Sequence, residues 1–412
     1  MKKKVLIYSD GLLFGGSEYV VANILKNSYL NQKYDFIFAY RYHKDYQQHV
    51  ESLFAKGDRV NFYPLHVWAL DNLYFRVDGF VKNTLFKKIA LGCIAIFSRI
   101  QVCNIYNYFV LKRFIKSLQV DIIHINNGGF PGAESCLVLA KIANEMGFKV
   151  IMQINNIPTT SKRFWDPIIK KSVDSFIIAS KFTSGRIIKI RDITNDNNVF
   201  TLRDNVKYEA PKVEAQSLRE KMGISNNSIV LIQVALLLLY KGQIHILEAL
   251  IQMREKNKEL YERIVLILIG SGEMEETLRI FVKDNQLDNH VKFLGYRNDY
   301  IDYLNMADVL VHPSRANEDM PLIIMSAMSL GKPVISCNFA GIPEEVEHMK
   351  SGILLNPESP TFVDDLASSI PIAYDNRESF GRRGREIYES EFSEEQYEKG
   401  LDEIYQSVLN HS

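Results

Sequence analysis

No charge of either sign prevails in this 412-residue chain, where 49 Asp and Glu stand against 49 Lys and Arg. A protein that grips nucleic acid needs a net basic field, so the chain as a whole is excluded from that class. Cysteine is scarce: Cys93, Cys103, Cys136 and Cys337 are scattered without metal-ligand spacing. That pattern excludes a disulfide framework and a thiolate metal site. Each cysteine is expected to be a small buried hydrophobe in a reducing cytoplasm. No apolar run reaches the roughly 18 residues that a membrane span requires. The opening MKKKVLIYSDGLLFGG starts basic, but Ser9 and Asp10 cut its apolar stretch short of the about 7–15 residues of a signal peptide. It is expected to form the first strand of a sheet.

What is present is an ordinary globular composition, 47% hydrophobic and 24% charged, in a chain longer than one core usually organises. Short apolar runs alternate with helical patterns, which predicts parallel sheets with crossover helices. In the first half the expected strands are 4–8, 35–39, 120–125, 149–153, 175–179 and 199–202. In the second half they are 229–234, 264–269, 291–293, 309–312, 334–336 and 352–354. The polar run Asn205–Ser228, with Pro211, is the expected linker. The fold class is therefore α/β, with two doubly wound, Rossmann-like domains at 1–207 and 208–385. The tail, 386–412, reads as a helix with its expected cap at Ser393.

Chemistry concentrates between Pro313 and Pro343, PSRANEDMPLIIMSAMSLGKPVISCNFAGIP. Leu310 and Val311 close an apolar strand, the polar residues through Asp319 form a loop, and Pro321 sits where a helix begins. Leu322 to Leu330 continue that helix, Gly331 stops it, and Pro333 prevents resumption. A strand followed by a loop and a helix mouth is where open α/β sheets bind phosphorylated ligands. Glu318, just before that mouth, is suited to sugar hydroxyls.

The run E-D-M-P-L-I-I-M-S-A-M-S-L-G-K-P-V-I, with the following A-G-I-P-E-E-V, resembles the family-4 glycosyltransferases, retaining enzymes of the GT-B fold. The resemblance is strongest from about Gly295 to Leu355. It implies a donor held in an interdomain cleft, and a terminal helix that crosses back to the first domain. It also implies that Glu318 contacts the donor sugar and that amides near Met320, Pro321 and Leu322 face the diphosphate. A second glutamate of the family pattern, which contacts the ribose, is Ser326 here, and one hydroxyl offers fewer hydrogen bonds than a carboxylate.

Other stretches extend the resemblance. In V-A-L-L-L-L-Y-K-G-Q, Lys241 and Gly242 match residues that neutralise the leaving diphosphate, while Leu236 stands where relatives carry arginine. Arg203 and Arg315 are the cations expected to compensate. Gly15 and Gly16, ahead of an apolar helix, permit close backbone approach to an anion, although an ordinary strand-to-helix turn gives the same pair. Glu18 matches the glutamate of the family's G-G-x-E. In D-I-I-H-I-N-N-G-G, Asn126 replaces a histidine near the reacting sugar and is assigned positioning work, since an amide does not titrate. His124 reads as an inward strand residue, and Asn155 and Asn156 point to the same rim. Gly270 and Gly272 follow a strand and precede an acidic helix start, and Leu294, Gly295 and Tyr296 match the base-binding edge.

The expected activity is transfer of a sugar from a UDP- or GDP-sugar to a saccharide acceptor, lipid-linked, in bacterial-type surface polysaccharide synthesis. No cofactor and no metal is expected, and no Asp-x-Asp occurs. The departures at Leu236, Asn126 and Ser326 leave open a non-catalytic nucleotide-sugar-binding or scaffold protein of the same fold. Residues 79–120 hold seven lysines and arginines and no acid. Interleaved with apolar residues, they suit an anionic membrane surface on the inner face of the cell membrane, or equally a core-packed insertion with a basic rim.

Overall fold

Val5 to Tyr8 are buried on both faces, as the central strand of a parallel sheet must be. The computed structural model describes residues 2–12, 15–54, 60–69, 77, 84–99, 101–193 and 198–410. The chain divides into two compact units, Met1–Leu202 with Glu398–Ser412, and Arg203–Tyr397.

In the first unit seven parallel strands run in the order β3-β2-β1-β4-β5-β6-β7. They are β1 (Lys3–Ser9), β2 (Tyr34–Arg41), β3 (Asn61–Leu65), β4 (Ile122–Asn127), β5 (Lys149–Ile154), β6 (Ser175–Ile178) and β7 (Val199–Thr201). Six of the seven coincide with apolar runs of the sequence. The edge strand β3, NFYPL, does not: it is largely exposed and carries Pro64, so no buried run marks it. The order reverses between β1 and β4, and the loops leaving both strands open at this switch point.

The terminal helix Glu394–Asn410 packs its far part on this first unit. Asp402 accepts hydrogen bonds from Tyr34 at 2.7 Å and Tyr29 at 3.1 Å. The Tyr405 hydroxyl meets His124 Nδ1 at 2.7 Å.

The second unit repeats the plan with six parallel strands in the order β10-β9-β8-β11-β12-β13. They are β8 (Ile229–Val234), β9 (Ile264–Ile269), β10 (Val291–Gly295), β11 (Val309–His312), β12 (Val334–Cys337) and β13 (Gly352–Leu355). Here the order reverses between β8 and β11.

Asn205–Ser228 is not a free linker. Ala215–Lys221 is helical, Leu218 is buried, and Arg219 binds the Met306 carbonyl at 2.8 Å and Asp308 at 2.9 Å. Asp302 accepts the Lys212 amide at 2.6 Å. The stretch is polar because it spends side chains on these bonds, and the division between units falls earlier, after Leu202. All four cysteines are free, and Cys136 and Cys337 are buried as expected. Cys93 is exposed and Cys103 half-buried, contrary to the expectation that all four pack in the core.

Candidate active site

In the second unit the loops after β8 and β11 meet because Gly242 permits it. Gly242 adopts φ +77°, and a Cβ there would lie 2.4 Å from the Pro313 carbonyl oxygen. The Arg315 amide donates to the Tyr240 carbonyl at 2.9 Å and fastens the two loops. This contact brings Lys241 to Glu318, and their side chains form an ion pair that is 14% and 11% exposed. His312, at the end of β11, lies 3.3 Å from the same carboxylate. Burial and the Lys241 charge hold the imidazole down at about 3. A neutral ring beside a carboxylate must donate through Nε2–H. Burial also pulls the Lys241 ammonium down to about 8.

Pro321 is the residue before the helix Leu322–Ser329 rather than its first member, with extended ψ of 117°. The first amides of that helix have no intrahelical acceptor and open beside the Glu318 loop. Its far end closes as expected at Gly331, where Lys332 N–H reaches the Ala327 carbonyl and Gly331 N–H that of Met328, each at 2.9 Å. Met320 is buried. Ser326 is also buried and donates to the Leu322 carbonyl at 3.0 Å, so its hydroxyl serves its own helix.

Gly270 and Gly272 press the β9 loop onto the β8 loop. Cβ atoms there would lie 1.9 Å from the Ala235 oxygen and 2.4 Å from the Leu237 oxygen, and Gly270 has φ +137°. Gly270→Ala is therefore expected to cost about 2–4 kcal/mol through strain and overpacking, measured as a lower thermal midpoint. Leu294 is half-buried, Tyr296 is exposed, and the Gly295 carbonyl accepts the Gly270 amide at 2.8 Å. Neither proposed substitute cation joins Lys241. Arg315 turns to His245 at 3.1 Å and lies over the Phe362 ring, while Arg203 binds Glu391 at 2.5 Å. Leu236 itself is exposed.

In the first unit the switch point opens into a cavity of about 460 Å³. The register pairing Ser9 with Tyr40 sets the next residues, Asp10 and Arg41, side by side. They form a buried ion pair at 2.9 Å, and Ser135 donates to Asp10 at 2.7 Å. Trp68 forms one wall, stacked on Tyr106 at 4.3 Å, with its backbone held by the Asn107 amide. Glu134 and Lys162 pair at the rim. None of Asp10, Arg41, Trp68 or His312 was singled out from the sequence. The available signals were weak: an arginine closing an apolar strand, and a histidine just before Pro313.

Gly15 precedes the helix Gly16–Lys26, and Glu18 accepts from the Gly15 amide at 3.1 Å, Ser9 at 3.1 Å and Ser17 at 2.8 Å. Burial raises the Glu18 carboxyl above its usual range. Asn126 does not line the cavity. Its amide donates to Ser9 at 3.1 Å and accepts from Asn155 at 2.5 Å, so it holds the cavity floor from behind. Asn156 accepts from the Phe130 amide at 3.0 Å. His124 is wholly buried, with burial holding its imidazole down at about 4.

Two parallel α/β sheets with active loops at their switch points define the GT-B class, and solved structures share it. Anabaena HepE in complex with UDP superposes with a TM-score of 0.73 at 16% identity, covering 98% of this chain and 100% of that one. Residues 214–387 match the family model described as glycosyl transferases group 1. Bacillus anthracis N-acetyl-alpha-D-glucosaminyl L-malate synthase is 23% identical over 370 residues, 87% of this chain and 92% of that protein. A putative colanic acid biosynthesis glycosyltransferase, WcaL of Escherichia coli, is 31% identical over 187 residues, 43% of this chain and 45% of that protein.

Proposed function

We propose that the chain is a retaining glycosyltransferase moving a sugar from a UDP- or GDP-sugar to a saccharide acceptor, lipid-linked, in surface polysaccharide synthesis at the inner face of the membrane. The observation that carries this reading is the Lys241–Glu318 ion pair beside an open helix mouth at the β8/β11 switch point. At rest the carboxylate neutralises the buried ammonium. When donor arrives, its diphosphate takes over as counter-ion to Lys241, and sugar hydroxyls replace the lysine as donors to Glu318. His312, neutral, keeps the carboxylate oriented. In the bond-breaking step negative charge grows on the departing phosphate, where Lys241 and the amides of Leu322 and Ile323 meet it. We assign that neutralisation to these groups rather than to a metal ion. The acceptor hydroxyl attacks from the leaving-group side and passes its proton to the departing phosphate oxygen, which retains the anomeric configuration without a carboxylate nucleophile.

The first-unit cavity suits the acceptor. An aromatic face at Trp68 matches the apolar face of a sugar ring, and the Asp10, Glu134 and Lys162 groups match hydroxyls. The complex of HepE with UDP and the colanic acid biosynthesis named for WcaL support the donor and pathway classes.

The test is incubation of the purified chain with a panel of UDP- and GDP-sugars, with free nucleotide measured. Slow nucleotide release from one donor, faster with membrane-extract acceptor and retaining by NMR of the product, is expected. Tight donor binding with no release under any acceptor condition overturns the transfer reading in favour of a binding protein, the outcome that exposed Leu236 favours.

A further inference from the structure

The helix Thr84–Arg99 has two unlike sides. Ile94 is buried, with Lys87 and Leu91 half-buried near it, whereas Leu85, Phe86, Ile89, Gly92, Cys93 and Ile96 are exposed. Spacings of three and four residues place those six on one stripe. Leu85, Phe86, Ile89 and Ile96 are 67%, 66%, 55% and 59% exposed. On the next helix, Val102–Lys116, the exposed stripe is Ile105, Phe109, Arg113 and Lys116, apolar first and basic at its end. Soluble surfaces rarely gather so many large apolar side chains in one patch without a use for them. Neither helix contains an acid, and Lys88 is exposed at the flank of the first stripe. Lys82 and the side chain of Arg99 lie outside the described residues.

We propose that this surface lies shallowly in an anionic lipid bilayer. The stripe Leu85–Phe86–Ile89–Ile96, with Ile105 and Phe109, enters at the headgroup–acyl boundary, and Lys88, Arg113 and Lys116 meet lipid phosphates. Charge complementarity selects this occupant. A second copy of the same surface would oppose two basic, acid-free faces, and like charges disfavour that pairing. No helix among the described residues is long and apolar enough to cross a membrane, so the contact is interfacial. This rests on the peripheral location given above and not on the sugar chemistry, so vesicle binding and nucleotide release can fail separately.

The experiment is sedimentation of the full chain with vesicles of phosphatidylcholine alone and of phosphatidylcholine with one-third phosphatidylglycerol, at low and high salt. Binding is expected only to the anionic vesicles, and less at high salt. Phe86→Ser with Ile89→Ser, and separately Lys88→Glu with Lys116→Glu, are each expected to weaken it about tenfold or more. Both double variants should keep the parent's circular dichroism and nucleotide release. The proposal is overturned by absence of wild-type binding or by equal binding to neutral vesicles. It is also overturned by binding that both variants leave intact, or by a concentration-dependent dimer that the apolar variant dissolves.

Discussion

Lys241→Ala is expected to slow nucleotide release about 10²–10³-fold, the usual loss when one preorganised donor to developing negative charge is removed. The expected loss lies at the upper end of that range because neither Arg315 nor Arg203 joins Lys241. Arg315 is held by His245 and the Phe362 ring, and Arg203 by Glu391. Leu236 cannot substitute for them. If the lysine acts on the departing phosphate, the fall appears in kcat as well as in kcat/KM. A rise in KM with kcat preserved would place Lys241 in ground-state binding only.

The same residue sets a pH limit. Its ammonium form is the working one, and burial holds it at about 8. Activity of the free enzyme should therefore fall as pH rises through about 8, whereas Lys241→Arg, always charged, should lose that limb. The sign for stability is opposite. The unfolded chain keeps the proton up to the ordinary 10.5, so the burial penalty is fully present below about 8 and is relieved as pH rises from about 8 to 10.5.

Much of this architecture was legible in the chain, for a definable reason. Strands β5, β8, β9 and β11 are buried on both faces, so each appears as a mostly apolar run. The helix after Glu318 was legible from Pro321 and Gly331 because backbone conformation demands those residue types, although the helix begins one residue later than proline placement suggests. The juxtapositions were not legible. Lys241 and Glu318 are 77 positions apart, and the resemblance rather than any local pattern named them together. Asp10 and Arg41 meet only through the β1–β2 register. Asn126 was legible as a strand-end residue at the correct switch point, but not its burial, because the same position can face a cavity or its floor.

Glu318→Ala should separate binding from transfer. Removing one member of a largely buried pair typically costs about 3–5 kcal/mol when the remaining charge is stranded. Lysine has an escape, since it can give up its proton. The variant's Lys241 should therefore titrate below the parent value of about 8. UDP or GDP supplies the missing counter-ion, so affinity for the bare nucleotide should hold or tighten near neutral pH. The nucleotide-sugar gains nothing comparable, because the hydroxyl acceptor has gone, and turnover should fall by about 100-fold or more. Glu318→Gln retains the shape and an acceptor for the His312 Nε2–H but not the charge. It should restore the thermal midpoint more than the rate. Calorimetric titration with nucleotide, beside a release assay with the sugar donor, reads both quantities. Equal loss of nucleotide and donor affinity in the alanine variant, with turnover of bound donor intact, would place Glu318 in loop architecture and remove it from the sugar.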